Sequence, residues 1–261
     1  MPPIAIRLAL TQEEYAGCEE LSRSIWGAAE RNVVPRELML TMQVNGGIVQ
    51  GAWLPDGTIV GFVFGFLGER DGTLRLCSHQ LGVLPAYRGT GLGVQLKLAQ
   101  AEEARRRGLE LITWTFDPLE ARNAYINLHR LGAIARRYDR DHYGVMDDEL
   151  NRGLSSDRFE AEWWIGAAAP RWQPAQADLA EAPVRLRVGA GDTPEAEAVG
   201  PSDVRVVLIE VPLDFQALKR QSLALAQDWR LATREALEGA LAQGFQAADF
   251  LRRGVYVMVR A

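Results

Sequence analysis

The stretch Leu81-Gly82-Val83-Leu84-Pro85-Ala86-Tyr87-Arg88-Gly89-Thr90-Gly91-Leu92-Gly93 decides how this chain is read. An apolar run ends at Pro85, six residues reading R-G-T-G-L-G follow, and a helical pattern then begins. Glycines at alternate positions let the backbone approach a ligand and take dihedrals closed to other residues. A glycine-rich segment that opens a helix presents several free N–H groups, an arrangement that holds phosphate. Arg88 adds a forked cationic donor at the same place.

Two familiar phosphate loops do not fit. A P-loop needs G-x-x-x-x-G-K-[ST], and no Lys-Ser or Lys-Thr pair follows these glycines. A dinucleotide loop needs G-x-G-x-x-G at the start of a first βαβ unit, whereas the spacing here is G-x-G-x-G after three consecutive strand patterns.

Outward from this loop, the pattern predicts a strand at 4–8 and a helix from Gln12 to about Trp26, capped by Thr11 with Glu13 and Glu14 in its first turn. A second helix starts at Pro35 and runs to about Val44. Strands follow at 47–54 and 58–67, joined by the turn signal Pro55-Asp56-Gly57, and at 74–84 after Asp71-Gly72. Beyond the glycines a helix of about 92–107 is predicted, with Leu92, Leu96 and Ala99 on one face and Val94, Leu98 and Ala101 adjoining. A strand at 111–116, a helix at about 119–131 and strands at 133–138 and 158–165 complete this region. Strand, crossover helix and strand make a right-handed parallel unit, so the sheet is expected to be mixed.

From Gly166 to about Ser202 the composition shifts to Ala, Pro, Gly and acidic residues, which reads as a linker or loose excursion holding one strand at 184–188. A strand at 204–211, one long helix from Pro212 to about Gln243 and strands at 245–250 and 255–259 form a smaller α+β unit. The expected organisation is therefore a main domain at 1–165, a linker at 166–202 and a subdomain at 203–261.

A chain of 261 residues has room for one large or two small domains. The net charge of −5 argues against a general nucleic-acid binder, so the phosphate signal suits a small nucleotide-like ligand. Cys18 and Cys77 are too few for a disulfide framework and lack metal-site spacing, which suggests a reducing, cytoplasmic setting and no metal. Residues 1–10 show no basic segment followed by a long apolar core, so no signal peptide is expected. No apolar stretch approaches the roughly 18–20 residues of a membrane span.

The loop has the form [Q/R]-x-x-G-x-[G/A], filled by Arg88, Gly91 and Gly93. With the run from Val83 to Gly93 and the order of elements over 4–165, the chain resembles the GNAT superfamily of N-acyltransferases. Phe116-Asp117-Pro118, Arg122-Asn123-Ala124 and the stretch 127–132 resemble one branch of that superfamily, and so do the runs 150–154 and 156–158. The resemblance implies an α/β (α+β) fold with a mixed, splayed β-sheet flanked by helices. It implies that acetyl-CoA or another acyl-CoA is the co-substrate, its pyrophosphate held by the N–H groups of Arg88, Gly89, Thr90, Gly91, Leu92 and Gly93. A bulge in the preceding strand lets the pantetheine arm enter between 81–84 and 111–116. A backbone N–H near Leu81, Gly82 or Val83 then stabilises the oxyanion.

The implied reaction is attack of an amine on the thioester. A free alkyl amine has pKa of about 10, so a base helps. His79, on the strand before the loop, is the candidate base, with a structural histidine as the alternative. Asp117, at the end of the other splayed strand, is a candidate amine binder or else a helix cap. Many family members carry an acidic tyrosine where this chain has Leu128, which cannot donate; Tyr125 or Tyr143 are substitutes, each also a packing candidate. Asn123 and Asn127, four apart on one helix, are candidate amide contacts to the cofactor. The expected activity is transfer of an acetyl or short acyl group such as succinyl to a small primary amine, an amino acid among the choices. No nucleic-acid or membrane partner is expected, and a homodimer is left open. The alternative is a non-catalytic acyl-CoA-binding sensor or interaction module.

Overall fold

The computed structural model describes residues 3–26, 33–146, 148, 151–166, 176–197 and 204–260. By packing, the chain divides into two compact units, Met1–Trp114 with Trp164–Ala169, and Thr115–Trp163 with Pro170–Ala261.

The first unit holds β1 (Ala5–Leu8), α1 (Gln12–Trp26), α2 (Arg36–Val44), β2 (Ile48–Trp53), β3 (Ile59–Arg70), β4 (Thr73–Val83), α3 (Leu92–Arg106) and the start of β5 (Leu111–Phe116). The strands are ordered β1-β2-β3-β4-β5. The first four are antiparallel and β4–β5 is parallel, the mixed sheet that the strand and helix patterns predict. Helix α1 begins with a capping box: Glu14 N–H donates to Thr11 Oγ1 at 3.3 Å, and Glu14 Oε2 accepts from Thr11 N–H at 3.3 Å and Leu10 N–H at 2.7 Å. Tyr15, Cys18 and Leu21 of α1 and Met39 of α2 bury against Val49, Phe62 and Phe64 of the sheet. Leu92 and Leu96 of α3 pack with Ala52, Val60 and Val63 in a separate cluster. Alternate side chains of a strand point to opposite faces. The sheet is thus the middle of three layers, with α1 and α2 on one side and α3 on the other.

The second unit contains α4 (Ala121–Ala124), β6 (Ile134–Asp139), β7 (Arg158–Trp164), α5 (Gln176–Glu181), β8 (Val184–Val188), β9 (Pro194–Ala196), β10 (Val206–Glu210), α6 (Phe215–Gln221), α7 (Leu223–Ala242), β11 (Phe245–Leu251) and β12 (Val255–Arg260). Its strands are ordered β7-β6-β11-β12-β10-β8-β9. The C-terminal strands therefore do not stand apart: β11 pairs with β6 through Ala247 and Ala135.

Within 166–202 the expected strand at 184–188 is present as β8, which runs parallel to β10 with Val184 and Leu186 buried, and β9 pairs with it. Two expectations change here. The long helix at 212–243 is two helices. Ser222 is extended (φ −151°, ψ 108°), and its hydroxyl accepts from Leu225 N–H at 3.2 Å, capping α7. The helix expected at 119–131 is regular only through Ala124, and Tyr125–Arg130 forms a π-helical turn.

Candidate active site

Strand β4 carries the decisive irregularity. Phe64 of β3 stands opposite Gln80, and Gly65 stands opposite Ser78, so His79 is an extra residue in the ladder, a β-bulge. On its other edge β4 pairs with β5 at Leu76–Ile112 and Cys77–Thr113. From Ser78 to Val83 that edge is unpaired with β5 among the described residues.

The backbone direction follows from one hydrogen bond. Leu84 N–H donates to Val60 O at 3.0 Å, on the β3 side. Successive residues of a strand point their amides to opposite edges, so Gly82 shares that direction while Leu81 and Val83 face the unpaired edge. Arg88 Nε donates to the Val83 carbonyl at 3.2 Å, consistent with that direction. Gly82 also has a packing role. A Cβ there would lie 2.6 Å from Ile25 Cδ1 and 3.0 Å from Phe62 Cε1, so glycine allows α1 to lie close against β4.

After the 3₁₀ turn Pro85–Tyr87, Gly89 (φ +81°) and Gly91 (φ +90°) take the left-handed conformation. No heavy atom lies within 4 Å of a Cβ built on either, so the space beside them is open. Thr90 Oγ1 donates to Tyr87 O at 2.8 Å and ties the loop back. Gly91 is the N-cap of α3, without a side-chain cap, and the first bond into the helix is Gln95 N–H to Gly91 O at 3.1 Å. The N–H groups of Leu92, Gly93 and Val94 thus have no intrahelical acceptor. Together with the helix dipole and the exposed Arg88, they suit a diphosphate. Leu92 contributes only its N–H, since its side chain is in the core.

His79 packs against the rings of Phe64 and Phe66, each with its centroid 6.0 Å away. Neither ring nitrogen of His79 has a hydrogen-bond partner among the described residues. Partial burial holds its pKa below the ordinary imidazole value, while one side stays exposed. A neutral imidazole with an open lone pair can accept a proton.

One buried group here carries no sequence signal. The inward face of α3 holds Leu92 and Leu96, but also Lys97, Gln100 and Glu103, whereas Leu98, expected beside that face, is half exposed. Lys97 Nζ donates to Ser78 Oγ at 2.8 Å and lies 3.7 Å from the centroid of the Trp114 ring. Ser78 Oγ in turn donates to Gln100 Oε1 at 2.7 Å. Burial lowers the Lys97 pKa from 10.5 to about 7. A lysine among apolar neighbours reads as a solvated helix position, which is why periodicity does not find it.

The remaining candidates lie in the second unit. Asp117 is committed to an ion pair: its two oxygens accept from Arg230 at 2.8 and 2.5 Å, and Arg158 lies 3.7 Å away. Asp117 Oδ1 also accepts from Leu119 N–H at 2.9 Å. The bond from Leu119 N–H matches the helix-cap alternative expected for Asp117. Tyr125 Oη accepts from Arg252 Nε at 3.0 Å, and its ring stacks on His129 at 4.7 Å. Tyr143 Oη lies 2.9 Å from Thr115 Oγ1. Leu128 is buried core. Asn123 is exposed on α4, whereas Asn127 is buried and lies in the π-helical turn.

Among the described residues no group of His, Cys, Asp and Glu could hold a metal, and no helix is long and apolar enough to cross a membrane. Residues 14–133 match the model of the acetyltransferase (GNAT) family. Three solved structures share the fold at a TM-score of 0.50 each. One is yncA from Salmonella typhimurium with its cofactor acetyl-CoA, 22% identical, covering 67% of this chain and 99% of its own. Another is the ribosomal-protein-S18-alanine N-acetyltransferase from Escherichia coli, 14% identical, covering 66% and 100%. The third is an aminoglycoside 6′-acetyltransferase of type Ii, 18% identical, covering 63% and 99%. A search among curated proteins returns no match. With the bulged β4, its parting from β5 and the glycine loop at the head of α3 all inside the matched span, residues 14–133 are similar to the GNAT acetyltransferase family in sequence and carry its fold.

Proposed function

We propose that the chain is an acyl-CoA-dependent N-acyltransferase acting on a small primary amine, an amino acid among the candidates, by direct attack of the amine on the thioester. One observation carries the reading. A β-bulge at His79 precedes the unpaired edge of β4, and that edge leads straight into a loop of unsatisfied N–H groups at the start of α3.

Acyl-CoA supplies an activated acyl group on a thiolate leaving group. The N–H groups of Gly89–Val94 and the Arg88 guanidinium hold its diphosphate. The Leu81 and Val83 N–H groups, facing the unpaired edge, receive the negative charge that develops on the carbonyl oxygen. Loss of one such donor typically costs about 3 kcal/mol of barrier. His79 takes the proton that the attacking nitrogen loses. The tyrosine acid of many relatives has no counterpart at Leu128, and Tyr125, or else Tyr143, takes over protonation of the departing thiolate. Residues 1–165 make up the catalytic region in this reading, in a cytoplasmic enzyme.

The test is thiol release with acetyl-CoA and succinyl-CoA against a panel of small amines and amino acids. Turnover with any of them supports the reading. Binding of coenzyme A with no turnover across the panel would identify a sensor instead.

A further inference from the structure

We propose that Lys97, braced by Ser78 and Gln100, receives a carboxylate at the far end of the transferred acyl group, so that the acyl donor is a dicarboxylic thioester of the succinyl or glutaryl class. The inference rests on the preceding reading of the acyl-CoA site.

The place of Lys97 is specific. The last β4–β5 pair is Cys77–Thr113. The next residues along the two strands are Ser78 and Trp114, and Lys97 touches both, through its 2.8 Å bond to Ser78 Oγ and its 3.7 Å approach to the Trp114 ring. Its ammonium therefore sits where the two strands part.

The chemistry there is short of an anion. An ammonium has three N–H donors, and Ser78 takes one. Ser78 gives its own proton to Gln100 Oε1, so its oxygen is fixed as an acceptor. Gln100 is fully buried, and its Nε2 has no partner. Among the described residues, the groups that meet Lys97 are Ser78 from β4 and Trp114 from β5, neither of them charged, and desolvation is the cause of its lowered pKa. A buried cation without an anionic neighbour is costly, and a ligand carboxylate removes that cost.

Reach sets the acyl class. Leu81, whose N–H faces the thioester carbonyl in this reading, stands opposite Val63 while Ser78 stands opposite Gly65, so with His79 bulged out the two lie only two strand positions apart, roughly 7 Å. An acetyl group stops far short of that. A succinyl or glutaryl chain carries its carboxylate across most of the distance, and the hydrogen bond from Nζ covers the rest.

The test is calorimetric titration of the full chain with coenzyme A, acetyl-CoA, succinyl-CoA and glutaryl-CoA at pH 8, in two buffers of different ionisation enthalpy. The same titrations follow with Lys97→Met and Lys97→Gln. At least one dicarboxylic thioester is expected to bind about tenfold or more tightly than acetyl-CoA, with net proton uptake as Lys97 regains its charge. Both variants are expected to bind coenzyme A as the parent does, and to lose the preference and the proton uptake. Equal or weaker binding of both dicarboxylic thioesters, or a preference that survives both variants, overturns the inference while the coenzyme A site stands. No binding of coenzyme A to the parent chain overturns the underlying reading and this inference with it. Should both variants fail to fold, the parent's preference and proton uptake decide alone.

Discussion

His79 is the residue by which β4 exceeds β3, and its ring rests on two phenylalanines with both nitrogens unengaged among the described residues. His79→Ala is expected to lower kcat/KM by about a hundredfold or more at pH 7, the usual worth of a positioned base. Because burial lowers the imidazole pKa, the acid limb of the pH–rate profile should fall below the ordinary histidine value of about 6.5. A rate within twofold of the parent would remove His79 from the proton-transfer role. Gly91, at φ +90° with nothing beside it, makes a cleaner test of the loop. Gly91→Ala meets no clash but pays about 1–2 kcal/mol for a left-handed alanine. It should lower Tm slightly and weaken coenzyme A binding more than it weakens folding, as thermal melts and calorimetry would show. The glycines and His79 stand out in the sequence because their chemistry is written in residue type. Lys97 does not, since only packing reveals that a lysine points inward.

Helix α7 shows how a boundary can escape periodicity. Gln221, Ser222 and Leu223 include no glycine or proline, yet the chain turns extended at Ser222, whose hydroxyl caps the next helix. Ser222→Ala should cost about 1 kcal/mol through loss of that cap, measurable by denaturant titration. The π-turn at Tyr125–Arg130 was equally invisible, because an extra residue per turn follows from packing and hydrogen bonding rather than from composition. By contrast α1, β5 and β8 fall where the hydrophobic period and the turn residues place them. Their local preferences agree with the tertiary environment, so there was no conflict to resolve.

Across the chain, buried charge sets the response to pH. Asp157 is fully buried and accepts from Arg234 at 2.8 and 2.9 Å, from Tyr138 Oη at 2.7 Å and from Asp141 N–H at 3.0 Å. Burial opposes its ionisation, but these donors outweigh it and hold the pKa at about 2. Since the unfolded value is about 3.9, this stabilisation is complete above pH 4 and fades as pH falls through 2. Asp157→Asn should destabilise by roughly 3 kcal/mol at pH 7 and blunt the acid unfolding transition. Lys97 acts in the opposite range. It titrates near 7 when folded and near 10.5 when unfolded, so between those values the unfolded chain binds more protons and stability rises with pH. Denaturant titrations at pH 7 and 9.5 should show the parent more stable at the higher pH, and Lys97→Met should flatten that difference.

The amino-acid order alone determined the glycine-rich loop at a helix start and the kind of sheet. A glycine run with a flanking arginine leaves main-chain amides exposed wherever it folds, and alternating apolar residues commit a segment to a strand without knowledge of its neighbours. Three-dimensional packing settled which strand gains an extra residue, where β4 leaves β5, that Asp117 pairs with Arg230, and that Lys97 meets Ser78 and Trp114 where those strands part. Each of these depends on residues far apart in the chain, and their mutual distances arise only when the backbone has closed on itself.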